Sequence, residues 1–305
     1  MKFIKLKLAA TVLAAVGTML ATSAQAQSND TIAKVKASGS ITMGVRDSSG
    51  ALSYTLGDGK YAGYHVEVCQ RIIAGVEKAA GKKLEIKYTP VTSQNRQPLV
   101  QNGTVDIECG STTNNADRQK EVAFLNTVFM EQVRIAVKGK SGIAGIAQLN
   151  GKNVATTTGT TSVKLLRSHE KATGIDFKEI FGKDHADSFL LLESDRAEAF
   201  VMDASILIGN IVNSKSPSDY KIVGEPLSLE PIGIMIRKDD PAFKALGNEV
   251  IAGLVKSGEL AKIYDKWFTS PIPPKNINVN LPATAETKTA WANLNDKPAQ
   301  DFVKK

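Results

Sequence analysis

From Ile32 onward the chain alternates short extended apolar runs with amphipathic helical stretches, and few folds accept that rhythm. Ile32 to Ala37 predicts a helix and Ser40 to Val45 (SITMGV) a strand. Tyr64, Val68, Ile72 and Val76 recur every four residues, which places them on one helix face with Cys69 beside them. Strands are predicted at Leu84 to Tyr88, Val105 to Cys109, Asn153 to Thr157 and Ala197 to Met202, and helices at Ser162 to Glu170 and Ala204 to Asn213. Alternation of this kind predicts an α/β architecture of mostly parallel sheets covered by helices. Two extended apolar runs, Gln132 to Val137 (QVRIAV) and Ile232 to Ile236 (IGIMI), flank a middle block with its own strands and helices. The simplest arrangement is one lobe from both chain ends (27–133 and 237–305), one from the middle (134–236), and two crossover strands between them. Further on, Phe243, Leu246, Val250 and Leu254 mark a helix. Glu259 to Phe268 marks another, stopped by Pro271, Pro273 and Pro274, and the polar residues 275–305 are expected to wrap the surface.

Residues 1–26 stand apart from that rhythm. Lys2, Lys5 and Lys7 precede a run of small and apolar residues, Leu8 to Leu20, and then Ala24-Gln25-Ala26. This is the pattern of a secretory leader cut after Ala26. The apolar run is too short to span a bilayer, which takes about 20 residues. Loss of three lysines and no acidic residue lowers the formal charge from +7 to +4. Such a balance, without a basic run, gives no reason to expect nucleic acid as a partner. The expectation is a soluble, monomeric protein of the periplasm. Cys69 and Cys109 both follow the leader. In an oxidising compartment they either bridge or stay as two buried, inert thiols, since a bridge needs Cα atoms within about 7 Å.

Enzyme signatures are missing from the chain: there is no HExxH, no GxSxG and no correctly spaced P-loop. Gly57 and Gly59 with Ala62 resemble a dinucleotide fingerprint, but Asp58-Gly59 is a hairpin turn signal. Three histidines and two cysteines at wide spacing suggest no metal site, and no cofactor is expected. Charged and hydroxyl residues gather instead at predicted strand ends and helix starts. Arg46 follows SITMGV; Ser93 and Arg96 lie in the next loop; Ser111, Thr113 and Arg118 follow the strand ending at Cys109. Thr157 to Ser162 (TTGTTS), which includes Thr161, precedes a helix whose first N–H groups suit an anion. His185 sits in GKDH and Asp203 ends AFVMD. In open α/β sheets ligands bind beyond the carboxyl ends of the strands, where all of these residues are predicted to lie. Any one of them alone is more often a solvated loop residue or a helix cap than a ligand contact; their joint placement points to a ligand site.

The stretches TSQNRQPLVQNGTVDIECGSTTNNADRQKEVAF, GTTS, KDHADSF, VMDAS and PIPPKN resemble, in order, the glutamate/aspartate-binding proteins of polar amino-acid ABC systems, within solute-binding protein family 3. The resemblance covers nearly the whole chain after the leader. It implies a type II periplasmic-binding fold: two α/β lobes, two crossover strands, and a ligand held in the cleft as the lobes close. It also implies L-glutamate and L-aspartate as ligands, an inner-membrane ABC permease as partner, and no catalysis. Arg118, Ser111 and Thr161 would then hold the α-carboxylate, and Asp203 and Thr113 the α-ammonium. Arg46, Ser93, Arg96 and His185 would surround the side-chain carboxylate. Charge leads the same way: a zwitterion matches Arg118 and Asp203, leaving Arg46 and Arg96 unpaired in a dry cleft unless the ligand brings a second carboxylate. Two departures stand out. Ala51-Leu52 replaces a proline–aromatic pair, and paired cysteines are not expected across the family. The same fold also hosts dehydratases of the cyclohexadienyl type and ligand-presenting sensory modules.

Overall fold

The computed structural model describes residues 30–302, so the leader and its cut after Ala26 lie outside the described residues. Nine strands make one mixed sheet. In chain order they are β1 (Ser40–Val45), β2 (Glu85–Pro90), β3 (Ile107–Thr113), β4 (Val122–Phe124), β5 (Phe129–Lys138), β6 (Asn153–Thr157), β7 (Lys178–Gly182), β8 (Ala199–Asp203) and β9 (Tyr220–Arg237). Their spatial order is β7-β6-β8-β5-β9-β3-β1-β2, with β4 on β9. The outer triplets are parallel, and β5 and β9 run antiparallel to each other and to their neighbours. Parallel strands need crossover helices. These are α1 (Thr31–Ser38), α2 (Tyr64–Ala80), α3 (Arg96–Gln101) and α4 (Ala116–Gln119) from the early chain, and α5 (Thr161–Thr173), α6 (His185–Glu193) and α7 (Ala204–Asn213) from the middle.

Helices on both faces explain why β8, AFVMD, is buried at every position instead of alternating. Tyr64, Val68, Ile72 and Val76 form the buried stripe of α2, and Gly81 stops that helix in the left-handed region, φ 72°. The cores are separate, and this is what makes two lobes. One joins Ile41, Val68, Ile72, Phe129, Tyr264 and Phe268 from both chain ends. The middle of the chain packs Val133, Ile135, Leu166 and Phe177 in one cluster and Phe189, Phe200 and Ile206 in another. Phe268 is fully buried and stacks on Tyr264 at 4.5 Å and on Phe129 at 5.1 Å. Burying a ring of this kind contributes about 1.5–3 kcal/mol.

The crossover strands are longer than the apolar runs that mark them in the sequence. β5 and β9 pair from Tyr220↔Lys138 to Ile232↔Phe129, with the register broken between Val223 and Ser228, where Gly224 takes φ 71°. Backbone pairing, which side-chain polarity does not report, carries them across both lobes. Asp58 and Gly59, at φ 50° and 68°, make the expected hairpin turn between short strands at Ser53–Gly57 and Lys60–Ala62. Cys69 on α2 and Cys109 on β3 are joined by a disulfide with Cα atoms 6.3 Å apart. His65 Nδ1 ties the same helix to the Gly110 carbonyl at 2.6 Å, so β3 is pinned from behind.

The two C-terminal helices, α8 (Pro241–Lys256) and α9 (Glu259–Phe268), return to the first core. The polar tail then holds one more helix, α10 (Ala285–Ala292). Trp291 explains it: the ring packs edge-on against Tyr264 at 5.5 Å, and its Nε1 donates to the Val128 carbonyl at 2.8 Å. Among the described residues no helix is long and apolar enough to cross a membrane.

Candidate ligand-binding cleft

Every parallel strand delivers its carboxyl end to the same crevice between the lobes, where the sheet changes direction. Arg46 leaves β1, and Ser93 and Arg96 follow β2. Ser111 and Thr113 end β3, Thr161 follows β6, His185 follows β7, and Asp203 closes β8. Arg118 comes from α4, whose N-cap Asn115 accepts the Arg118 N–H at 2.9 Å. Arg46, Ser93, Arg96, Ser111, Thr113, Arg118, His185 and Asp203 are all buried, and Thr161 is half-buried.

The lobes touch across this crevice. Arg118 Nη2 donates to the Gly159 carbonyl at 3.3 Å, and Lys164 Nζ lies 3.2 Å from Asp117 Oδ2. Gly159 adopts φ 81°, and a Cβ there would sit 2.9 Å from the Gln94 backbone, so only glycine permits this approach.

One side of the cleft is cationic. The Arg46 guanidinium is fully buried; its Nη2 donates to Asp184 Oδ1 and lies 3.2 Å from His185 Nε2, while Nη1 reaches Ser111 Oγ at 3.4 Å. Asp184 also accepts the Ser48 hydroxyl at 2.6 Å. His185 Nδ1 is 2.9 Å from Thr157 Oγ1. Burial first, and then the Arg46 charge, push the His185 imidazole down to about 3, so it is neutral at physiological pH. Arg96 is the exposed need of this side: its Nε and Nη1 are buried and have no acceptor among the described residues, and neither has the Ser93 hydroxyl a partner. Burial and the neighbouring Arg118 hold the Arg96 guanidinium well below its ordinary range. Burial lowers Arg118 as well, although its Nη1 donates to the Thr113 carbonyl at 2.8 Å.

The other side is anionic. Asp203 Oδ1 is buried without a donor among the described residues. Burial, then Glu131 and Glu230, raise the Asp203 carboxyl well above the usual carboxylate range. Glu131 on β5 and Glu230 on β9 are cross-strand partners in the crossover pair. Glu131 accepts the Ser205 hydroxyl and N–H and the Gln132 N–H, and burial still pushes it up to about 7. Glu230 accepts the hydroxyls of Thr113 at 2.7 Å, Thr161 at 2.8 Å and Ser228 at 3.1 Å.

Three points differ from the sequence reading. Arg46 does not stand unpaired, because Asp184, one residue before His185, reaches across the cleft to it. The cationic surplus therefore narrows to Arg96. Ser111 to Thr113 do not follow the strand but end it, since Thr112 and Thr113 stay paired with Gly233 and Ile232 of β9. The third concerns residues to which the sequence gives no role: Asp184, Glu131 and Glu230. A carboxylate at the edge of an otherwise apolar extended run was the available signal for Glu131 and Glu230.

Residues 41–270 match the family described as bacterial extracellular solute-binding proteins, family 3. The chain belongs to that family. An "L-glutamate/L-aspartate-binding protein" of Pseudomonas aeruginosa is 46% identical over 275 residues, covering 89% of this chain and 91% of that one. A "glutamate/aspartate import solute-binding protein" of Escherichia coli K12 is 45% identical over 268 residues, covering 88% and 89%. Among solved structures, a mutant ArgBP from T. maritima superposes with a TM-score of 0.70 at 25% identity, over 78% of this chain and 99% of that one. The family assignment and the crevice agree on a solute-binding protein of two α/β lobes, and its relatives are named for binding and import.

Proposed function

We propose that this family 3 protein binds L-glutamate and L-aspartate by hinge closure in the periplasm and hands them to an ABC permease of the inner membrane. The observation that carries this reading is a pair of complementary deficits in one buried cleft. Arg96 offers guanidinium donors with no acceptor, and Asp203 offers a carboxylate oxygen with no donor. A molecule with carboxylates toward the arginines and an ammonium toward the acids satisfies both, whereas leaving either buried group unmatched costs several kcal/mol. The relatives' printed ligands have this charge pattern.

The ligand's α-carboxylate then lies on Arg118, Ser111 and the first N–H groups of α5 at Thr161, and its α-ammonium on Asp203 and the Thr113 oxygen. Its side-chain carboxylate lies among Arg96, Ser93, Arg46 and His185. Glutamate and aspartate differ by one methylene, worth only about 1–3 kcal/mol in a pocket, so both fit one site. The lobes divide as 27–133 with 237–305 and 134–236, export ends with a cut after Ala26, and the protein acts as a monomer. Calorimetric titration of the ligand-stripped mature protein against Glu, Asp, Gln, Asn, His and Arg tests the assignment. One-to-one binding of Glu and Asp well above the rest is the expected result; a preference for Gln or a basic amino acid overturns the ligand.

A further inference from the structure

A hydroxyl carries one proton, and its remaining capacity is to accept. Thr113 Oγ1 and Thr161 Oγ1 both lie within 2.8 Å of the same oxygen, Glu230 Oε2, and 3.4 Å from each other. A carboxylate only accepts, so both hydroxyl protons point at Glu230 and away from the cleft. Ser228 spends its proton on the other oxygen of the same carboxylate. Glu230 is 6% exposed, and neither it nor Asp203 nor Glu131 has a Lys, Arg or His within ion-pair distance among the described residues.

We propose that Glu230 is a positioning residue that fixes the polarity of this end of the cleft, so that the site selects an α-amino group and rejects an α-hydroxyl or a bare methylene. With both threonine protons committed, the Thr113 and Thr161 hydroxyls can only accept from the cleft, as Asp203 Oδ1 does when ionised. An ammonium has three N–H donors and fills such a set. A hydroxyl has one donor and brings a lone pair that faces other lone pairs, and a methylene brings none. This rests on the placement of the ammonium given above, and it adds a residue that need not touch the ligand. It also gives Thr161 a different part: its hydroxyl has no proton left for the α-carboxylate, and only its backbone N–H remains for that group.

The test compares three ligands with one side chain: L-glutamate, its 2-hydroxy analogue, and glutarate, titrated calorimetrically into the full mature protein and its Glu230→Leu form. Leucine offers no acceptor, so even if one threonine donates to the other, at least one threonine proton turns into the cleft. Glutamate affinity is expected to fall about 10- to 100-fold while the 2-hydroxy acid changes less than about threefold, so the amino-to-hydroxy ratio drops by at least about tenfold. Thr113→Val removes one cleft acceptor while the Glu230 carboxylate keeps the Thr161 and Ser228 hydroxyls; it should lower the same ratio, and serves if Glu230→Leu does not fold; Ser228→Ala should leave the ratio unchanged. Equal losses for all three ligands mean a structural role only and overturn the proposal, as does an unchanged ratio. Wild-type binding of the hydroxy acid as tightly as glutamate overturns the proposal and leaves the dicarboxylate reading standing. Wild-type silence toward all α-amino acids overturns both.

Discussion

The two sides of the cleft are built from the same strand ends yet err in opposite directions. On the arginine side, protein groups neutralise Arg46 through Asp184 but leave Arg96 without an acceptor. On the acid side, Glu131 and Glu230 accept hydroxyls and N–H groups, and Asp203 keeps an oxygen without a donor. Titration behaviour mirrors this: burial and then the Arg46 charge lower His185 to about 3, while burial raises Glu131 to about 7. The lesson is that charge in the cleft is partitioned, not merely abundant. Each side carries a part that the protein pairs itself and a remainder that it leaves unmatched.

The sharpest way to break the comparison is to remove the unmet cation. Arg96→Ala should weaken glutamate and aspartate by about 100- to 1,000-fold or more, because truncating one partner of a buried charge pair costs about 2–5 kcal/mol. Glutamine, which lacks the second carboxylate, should lose far less. Calorimetry on both ligands decides it: equal losses for Glu and Gln would take Arg96 away from the side-chain carboxylate.

Asp203→Ala is the matching change on the other side, and its effect should be smaller. Glu131 and Glu230 act electrostatically on the Asp203 position and stay in place, so a loss of about 10- to 100-fold is expected, and it should be shared by every α-amino acid the protein binds. Glutarate, which has no ammonium, should be unaffected. If glutamate binding survives Asp203→Ala intact, the acid side is not where the ammonium sits.

The fold was readable because its signals are local. Strand and helix periods, the Asp58-Gly59 turn and the two flanking apolar runs each declare themselves within a few residues. The placement of Arg46, Ser93, Arg96, Arg118, His185 and Asp203 was readable for the same reason, since strand ends in an α/β sheet converge. What escaped was pairing between segments far apart in the chain. Asp184 looks like any loop carboxylate until the lobes meet and bring it to Arg46, 138 positions away. Glu230 needs Thr113 and Thr161, 117 and 69 positions away, before its role in orienting them has meaning. Helix α10 was hidden differently: a polar sequence with one tryptophan gives no amphipathic stripe, and what docks it is the Trp291 ring together with Thr287, which accepts the Met130 N–H at 3.2 Å.

The change that tests the comparison without any ligand is in stability against pH. Glu131 is raised by burial to about 7 from 4.5, so the folded protein holds a proton that the unfolded chain has lost. Its contribution is fully present below about 4.5 and disappears as pH rises through about 7. His65 and His185 run the other way: burial lowers them to about 4 and about 3 from 6.5, so the unfolded chain takes up protons that the fold excludes. Their contribution is present above 6.5 and is lost as pH falls. Between those limits the two sides offset each other, which should flatten the wild-type curve. Glu131→Gln removes one arm, and each pKa unit is worth about 1.4 kcal/mol, so a divergence of about 1–3 kcal/mol is expected. In urea denaturation from pH 8 to pH 5, the variant should lose stability on acidification more steeply than wild type. Parallel curves would mean that Glu131 is already ionised in the fold, and the acid side would then be as fully charged as the arginine side.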